Sequence, residues 1–197
     1  QAKRALSGRG EVVRVAWSHD GAPGAASWGA MIATILARAG VAKAELPAVL
    51  DHAWASHVKH NLYSKVPEGF SDAMAELRGA GVKVAVVSNS EGMLDSLFRE
   101  LGICDCFDAL IDSATVGVEK ADPRIFAIAC ERTGTTAARA LHLGDTVATD
   151  IDGARAAGMR CALIDPFGHY DGLYGDVARA ASAIAAAREI QRLRASA

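Results

Sequence analysis

Polar residues in the second half of the chain stand where predicted strands end, and their types suit the binding of an anion. Ser88 ends the β-branched run 82–88, and Asn89 follows it directly. A hydroxyl and backbone amides that open into a helix can hold a phosphate or another anion. A helix N-cap is an alternative role for Ser88, since serine is among the preferred capping residues.

Two carboxylates follow a later predicted strand. Gly144 precedes Asp145, and Asp150 follows five residues further on. Glycine allows close approach of the backbone, and carboxylate oxygens are ligands that Mg²⁺ prefers in proteins. Capping is again an alternative, because Asp150 also fits the start of a helix.

A single cation, Lys120, lies between these two regions, just before Asp122 and Pro123. Aspartate as an N-cap followed by proline predicts a helix start and fixes the path of the chain. A lysine at such a place can balance phosphate or carboxylate charge. A solvated side chain without a partner is the alternative.

The elements that position these residues alternate between strand and helix after residue 66. The predicted strands are 82–88, 109–112, 140–143 and 159–164, and the predicted helices are 70–80, 92–101, 122–133 and 150–157. Such alternation predicts βαβ units in a Rossmann-like parallel sheet, with ligands beyond the carboxyl ends of the strands. The alanine-rich stretch 177–197 predicts a final helix.

The first part of the chain has helical spacing instead. Apolar residues recur at three- and four-residue steps and predict helices at 28–39 and 44–60. Residues 11–17 can form a strand, and 21–29 are expected to form a loop. We therefore predict a small all-helical unit over 1–64 and an α/β unit over 65–197.

Composition excludes several classes of protein. The 197 residues are 51% hydrophobic and 22% charged, with a net charge of −2. This balance is typical of a globular protein and does not favour nucleic-acid binding. We expect no membrane span, because no uninterrupted apolar run reaches 18 residues, and without a secretory signal we expect a cytoplasmic location. The oligomeric state is not indicated. The four cysteines lack zinc spacing and are expected to be reduced.

Taken in order, the stretches around these residues resemble the motifs of the haloacid dehalogenase superfamily. VVSNS resembles the second motif, with Ser88 as the phosphate-binding hydroxyl. GVEKADPRIF resembles the third, with Lys120 as its lysine. HLGDTVATDIDGARAAGM resembles the fourth, with Asp145 and Asp150 as its acidic pair. Ala121 departs from the family, which usually has proline there.

The resemblance implies a Mg²⁺-dependent phosphohydrolase that acts on a small phosphorylated metabolite through an aspartyl-phosphate. It implies catalytic roles for Ser88, Lys120 and Asp145. Phosphate binding would fall to Ser88, Asn89 and Lys120, and Mg²⁺ binding to Asp145 and Asp150. A metal-independent 2-haloacid dehalogenase is an alternative that the acidic pair argues against. A non-catalytic protein without the nucleophile is another.

The first motif of that family, which ends a central strand in Asp-x-Asp and supplies the nucleophile, has no true match in the sequence. The nearest stretch is 17–21, where Ser18 would replace the nucleophile and Asp20 would remain as the acid and base. Arg14 interrupts the apolar run before it. In the other interpretation, residues 1–62 are all cap and the first strand lies upstream of Gln1.

That second interpretation has a structural consequence. In the family the first strand lies between the strands that correspond to 82–88 and 140–144, so these two should face a gap. Aromatic and histidine side chains of the cap are candidates for specificity or for cap packing; they are Trp28, Trp54, His57, His60 and Tyr63.

Overall fold

The computed structural model describes residues 12–20 and 22–196. The chain divides into two compact units, Gln1–Lys65 and Val66–Ala197. Predictions that involve residues 1–11, Gly21 and Ala197 lie outside the described residues. Within the described ranges, none of the helices combines the length and the hydropathy that a membrane crossing requires.

Within its described residues, 12–20 and 22–65, the first unit contains two helices, α1 (Ala25–Arg38) and α2 (Leu46–Lys59). The buried residues of α2 recur every fourth position, at Leu46, Leu50 and Trp54, so they form one apolar face. Helix α1 begins three residues before the predicted start, within the stretch expected to be a loop. It ends before Gly40, whose φ of 96° favours glycine.

Residues 12–20 form no strand and pack against these helices. The ring of Trp17 lies 5.8 Å from that of Trp28 and 5.9 Å from that of Trp54, and its indole Nε1 donates to Asp51 at 2.7 Å. A Cβ on Gly29 would come within 2.6 Å of the Trp17 ring. The prediction of a strand at 11–17 is therefore wrong for its described residues. The arrangement does not support Ser18 and Asp20 as the end of a core strand.

The second unit contains five strands and several helices among its described residues. The strands are β1 (Ala85–Ser88), β2 (Ala109–Asp112), β3 (Leu141–Gly144), β4 (Arg160–Ile164) and β5 (Ala178–Ala180). The α-helices are α3 (Phe70–Gly79), α4 (Leu94–Glu100), α5 (Ser113–Val116), α6 (Pro123–Thr133), α7 (Asp152–Ala156) and α8 (Ala183–Ala195). A π-helical turn, Val147–Ile151, precedes α7, and short 3₁₀ turns lie at Cys104–Cys106 and Ala137–Arg139.

The strands form two parallel sheets, which confirms the predicted α/β class. Strand β1 pairs with β2, so that Ser88 lies opposite Asp112. In the other sheet β3 pairs with β4 and β4 with β5, so that Gly144 lies opposite Leu163. Across the described residues no strand pairs with the second edge of β1 or of β3.

Helix α6 packs against elements of both sheets. Its Ile125, Phe126 and Ala129 belong to a buried cluster that also includes Ile111 of β2. Cys161 of β4 packs against the same cluster. The helix begins and ends as predicted, because Asp122 caps its first turn by accepting from Arg124 N and Gly134 closes it in the left-handed conformation.

The C-terminal stretch differs from the prediction of a helix over 177–197. Residues 178–180 form β5, whose Ala178 pairs with Ala162 of β4. The helix begins only after Ser182, whose hydroxyl accepts from Ala185 N at 3.1 Å. Pairing with a neighbouring strand overrides the helical preference of alanine here.

Candidate active site

Ser88 ends β1 and is half-buried. Helix α4 begins six residues later, with Met93 as its N-cap residue. The alternative role of Ser88 as a helix cap is therefore wrong. The hydroxyl stands at the carboxyl end of a parallel strand, where ligands bind in α/β proteins.

The loop after β1 is organised by Asp112, which ends β2 and is 7% exposed. Its carboxylate accepts from the backbone N–H of Gly92 at 3.0 and 3.1 Å, of Leu94 at 3.2 Å and of Ala114 at 3.0 Å. One buried carboxylate thus holds the loop after β1 and also caps α5. The motif comparison missed this residue, although an acidic residue that ends an otherwise apolar strand was a signal for it.

Asn89 and Lys120 form a reciprocal pair across 31 positions of sequence. The Asn89 Nδ2 donates to the Lys120 carbonyl at 2.9 Å, and the Lys120 N–H donates to Asn89 Oδ1 at 2.7 Å. The peptide bond between Lys120 and Ala121 is cis. The amide of Asn89 therefore fixes the Lys120 backbone to the end of β1.

The Lys120 side chain is buried and paired. Its Nζ lies 2.6 Å from Asp150 Oδ1, with 14% of the lysine and 3% of the aspartate side chain exposed. The alternative of a solvated lysine without a partner is therefore wrong. Because both charges are shielded from water, their interaction is stronger than that of a surface pair.

Asp150 has two further donors. His142 Nε2 lies 3.0 Å from Oδ1, and the N–H of Thr146 donates to Oδ2 at 3.0 Å. Burial opposes ionisation of this carboxyl group, but the hydrogen bond from His142 and the charge of Lys120 outweigh it and lower its pKa to about 2. Helix α7 receives no side-chain capping bond, so Asp150 does not cap it.

Gly144 and Asp145 place the acidic pair at the end of β3. A Cβ on Gly144 would lie 2.7 Å from Asp150 Oδ1 and closer still to Cβ and Cγ of the same side chain. Only glycine therefore lets Asp150 lie against the strand. Asp145 is exposed and accepts from the Thr146 hydroxyl at 3.3 Å.

Together these contacts join the ends of the two sheets. The connected series runs from Asn89 at the end of β1 through Lys120 and Asp150 to His142 in β3. The structure thus brings the predicted Lys120 to one member of the predicted acidic pair. His142 was missed because a histidine within a short strand has no distinguishing spacing.

A divalent cation requires several oxygen ligands, and the carboxylates at the end of β3 are the candidates. The described residues contain no group of three or more histidine, cysteine, aspartate or glutamate side chains that could hold a metal ion. Mg²⁺, however, commonly keeps several waters and takes one or two protein carboxylates beside substrate phosphate. The exposed Asp145, with Asp150 close to the same strand end, fits that pattern.

The aromatic candidates of the first unit pack mainly on one another. Trp28 and Trp54 are 8% and 2% exposed, with ring centroids 5.0 Å apart, and His57 stacks on Trp28 at 5.2 Å. His60 and Tyr63 are exposed. The tryptophans therefore stabilise this unit by burial of large apolar surfaces.

Comparison with known proteins identifies the family. A family model described as haloacid dehalogenase-like hydrolase matches residues 24–158. The chain therefore belongs to the haloacid dehalogenase-like hydrolases.

Individual relatives agree with this assignment. The chain is 38% identical over 100 residues to haloacid dehalogenase-like hydrolase domain-containing protein 3 of Mus musculus, a match that covers 51% of this chain and 40% of the mouse protein. It is 32% identical over 121 residues to a phosphatase of Mycobacterium tuberculosis, covering 58% and 55% respectively. The chain thus spans about half the length of the curated relatives it matches.

A solved structure shows the same fold. The hydrolase YfnB of Bacillus subtilis, described as a HAD-hydrolase, superimposes with a TM-score of 0.64 at 18% identity, over 84% of this chain and 70% of that one. At this level of identity the similarity concerns the fold alone.

Proposed function

We propose that this protein is a Mg²⁺-dependent phosphohydrolase that acts on a small phosphorylated metabolite. The observation that carries the proposal is the buried Lys120–Asp150 pair, which two reciprocal hydrogen bonds between Asn89 and the Lys120 backbone tie to the end of β1. A fixed cation at the carboxyl ends of parallel strands suits a phosphoryl group. Some relatives, including the mycobacterial one, are named phosphatases.

Lys120 and Ser88 would bind the phosphoryl oxygens. An ammonium group has three N–H donors, and one of them is directed to Asp150. The other donors of Lys120 remain for the substrate, and the Ser88 hydroxyl supplies another. Asn89 would contribute through Lys120, because direct contact with phosphate would require its amide to leave the lysine backbone.

The two aspartates of the acidic pair would have different roles. Asp145 presents an exposed carboxylate for Mg²⁺. Asp150 already accepts three hydrogen bonds, so its main role would be to hold Lys120 in place beside the metal. Bound Mg²⁺ supplies neutralisation of the negative charge on the phosphoryl group. A 2-haloacid dehalogenase would not need this pair.

The covalent step needs an attacking carboxylate. An aspartate oxygen would bond to phosphorus as the bond from phosphorus to the leaving oxygen breaks, and a second carboxyl group would give its proton to the departing alkoxide. The resulting carboxylate would then take a proton from the water that cleaves the acyl phosphate and releases inorganic phosphate. No strand among residues 12–20 and 22–196 ends in Asp-x-Asp. We propose that the nucleophile belongs to a strand that pairs with the free edges of β1 and β3.

The test is hydrolysis of p-nitrophenyl phosphate by the full-length protein, with Mg²⁺ and then with excess EDTA. We expect turnover that requires Mg²⁺ and that is lost in Asp145→Asn. The control is Asp152→Asn, since Asp152 is an exposed carboxylate in the first turn of α7. Turnover unaffected by EDTA would contradict the role of the metal, and no turnover with any phosphomonoester would favour a non-catalytic protein.

A further inference from the structure

We infer that His142 is a positioning residue, which holds the Asp150 carboxylate so that this carboxylate can in turn hold Lys120. The inference rests on the proposed function, because it gives His142 a part in the same phosphate site. Its structural basis is one shared atom. Asp150 Oδ1 lies 2.6 Å from Lys120 Nζ and 3.0 Å from His142 Nε2.

The position of the imidazole is fixed by its surroundings. His142 lies within β3, opposite Cys161 of β4, and 10% of its side chain is exposed. The ring meets the ring of Phe126 edge-on, with centroids 4.9 Å apart and an interplanar angle of 81°. Phe126 is fully buried in α6. Packing therefore restricts the ring, and Nε2 stays directed at Asp150.

The direction of the hydrogen bond follows from the acceptor. The Asp150 carboxylate faces the Lys120 ammonium group at 2.6 Å and the Thr146 N–H at 3.0 Å, an arrangement that suits an ionised carboxylate, which can only accept. The proton of the bond must therefore reside on His142 Nε2. A neutral imidazole in this tautomer is sufficient, and no charge on the histidine is required.

Three donors leave Asp150 little freedom to rotate. The Thr146 N–H holds Oδ2, while His142 and Lys120 share Oδ1. Without His142, Lys120 would be the one donor to Oδ1 among the residues that the structure describes, and the lysine must also bind the substrate. With His142 present, the carboxylate is a fixed partner that sets where the ammonium group lies.

A purely structural role is the competing explanation, since His142 also fills space against Phe126. Two variants separate the explanations. His142→Phe keeps an aromatic ring in contact with Phe126 but removes the donor. His142→Gln keeps an N–H donor at about the reach of Nε2 but removes the ring. His142→Leu serves as a second donor-free variant if His142→Phe does not fold.

The first measurement is the reactivity of Lys120 toward an amine-directed acylating reagent, read by peptide mass spectrometry on the full-length protein. Lys83, which is 62% exposed, is the internal reference. We expect Lys120 in His142→Phe to react several-fold faster relative to Lys83, because loss of a hydrogen bond to a charged group loosens the pair. His142→Gln should stay close to the parent protein.

The second measurement is steady-state hydrolysis of p-nitrophenyl phosphate with Mg²⁺. We expect kcat to fall about tenfold in His142→Phe, the effect of losing one charge-assisted hydrogen bond. His142→Gln should recover most of that loss. A structural role predicts the reverse order, with the glutamine variant worse than the phenylalanine variant.

The two measurements separate the two proposals. One outcome is that neither the parent protein nor the two variants hydrolyse p-nitrophenyl phosphate, while Lys120 becomes more reactive in His142→Phe and not in His142→Gln. The proposed function then fails and the positioning role stands. If Lys120 reacts equally in all three proteins, the positioning role is overturned, whatever the turnover.

Discussion

Gly144 and Asp150 are so close that a single methyl group on the glycine would displace the carboxylate. An added Cβ would lie 2.7 Å from Asp150 Oδ1, with the Cβ and Cγ of that side chain nearer still. The end of β3 thus packs directly against the Asp150 side chain of the π-helical turn that follows it. Because Asp150 forms the ion pair with Lys120, any change in the packing at Gly144 also changes the position of the charges in the site.

We therefore expect Gly144→Ala to reduce the free energy of unfolding by about 1–3 kcal/mol, the usual cost of overpacking. It should also disturb the Lys120–Asp150 pair. Urea unfolding measures the stability. Gly79→Ala is the matched control, because nothing lies within 4 Å of the added Cβ at that helical position. A Gly144→Ala protein as stable as the control would contradict the close contact.

The pH dependence of stability should report the buried Asp150. Its pKa is lowered to about 2 in the folded protein, below the ordinary value for aspartate. Its ionisation thus stabilises the folded state above about pH 4, and that contribution of roughly 2 kcal/mol is lost as the pH falls toward 2. Comparison of the parent and Asp150→Asn by urea unfolding from pH 6 to pH 2 isolates this contribution. The difference between them should shrink at acid pH, and a constant difference would argue against the ion pair.

Asp112 should stabilise the loop after β1, because its carboxylate accepts hydrogen bonds from Gly92 and Leu94. Asp112→Asn replaces an acceptor of backbone N–H groups with an amide that presents donors to some of them, at a cost of about 1–3 kcal/mol. Hydrogen exchange at Gly92 and Leu94 should become faster. Asp95→Asn is the control, since its pair with Arg99 is exposed and therefore screened by water. Unchanged exchange in Asp112→Asn would show that the loop is held by other contacts.

The cysteines should differ in reactivity. Cys130 is 8% exposed in α6, and burial raises the pKa of its thiol, whereas Cys104, Cys106 and Cys161 are half-buried. Because the thiolate is the reactive form, a thiol reagent at pH 8 should modify Cys130 last. Peptide mapping over time gives the order, and modification in denaturant should remove the difference. Early labelling of Cys130 in the folded protein would contradict its place in the core.

Local signals in the sequence were sufficient for several elements. Strand 109–112 was predicted with its observed bounds. The start of helix α6 was predicted because Asp122 and Pro123 mark it, and the helix ends at Thr133 as expected. The strand at 178–180 could not be predicted in this way, since its alanines favour a helix until β4 supplies a pairing partner.

In the candidate site, too, some residues could be predicted from local sequence, whereas their contacts could not. Ser88, Lys120 and Asp150 could be selected from their types and their places at predicted strand ends or helix starts. The reciprocal bonds between Asn89 and Lys120 join residues 31 positions apart, and the contact of His142 with Asp150 depends on how the π-helical turn folds back on β3. Such contacts arise from tertiary structure and leave no spacing to recognise.

The most direct test of the central claim is the steady-state hydrolysis of a phosphomonoester by Lys120→Gln. If the buried lysine binds the phosphoryl group, kcat/KM should fall about 100-fold or more, as for the loss of one preorganised donor. Lys83→Gln, which changes a lysine paired with Asp108 at the surface, should retain parental activity. Parental kcat/KM in a folded Lys120→Gln protein would contradict the account.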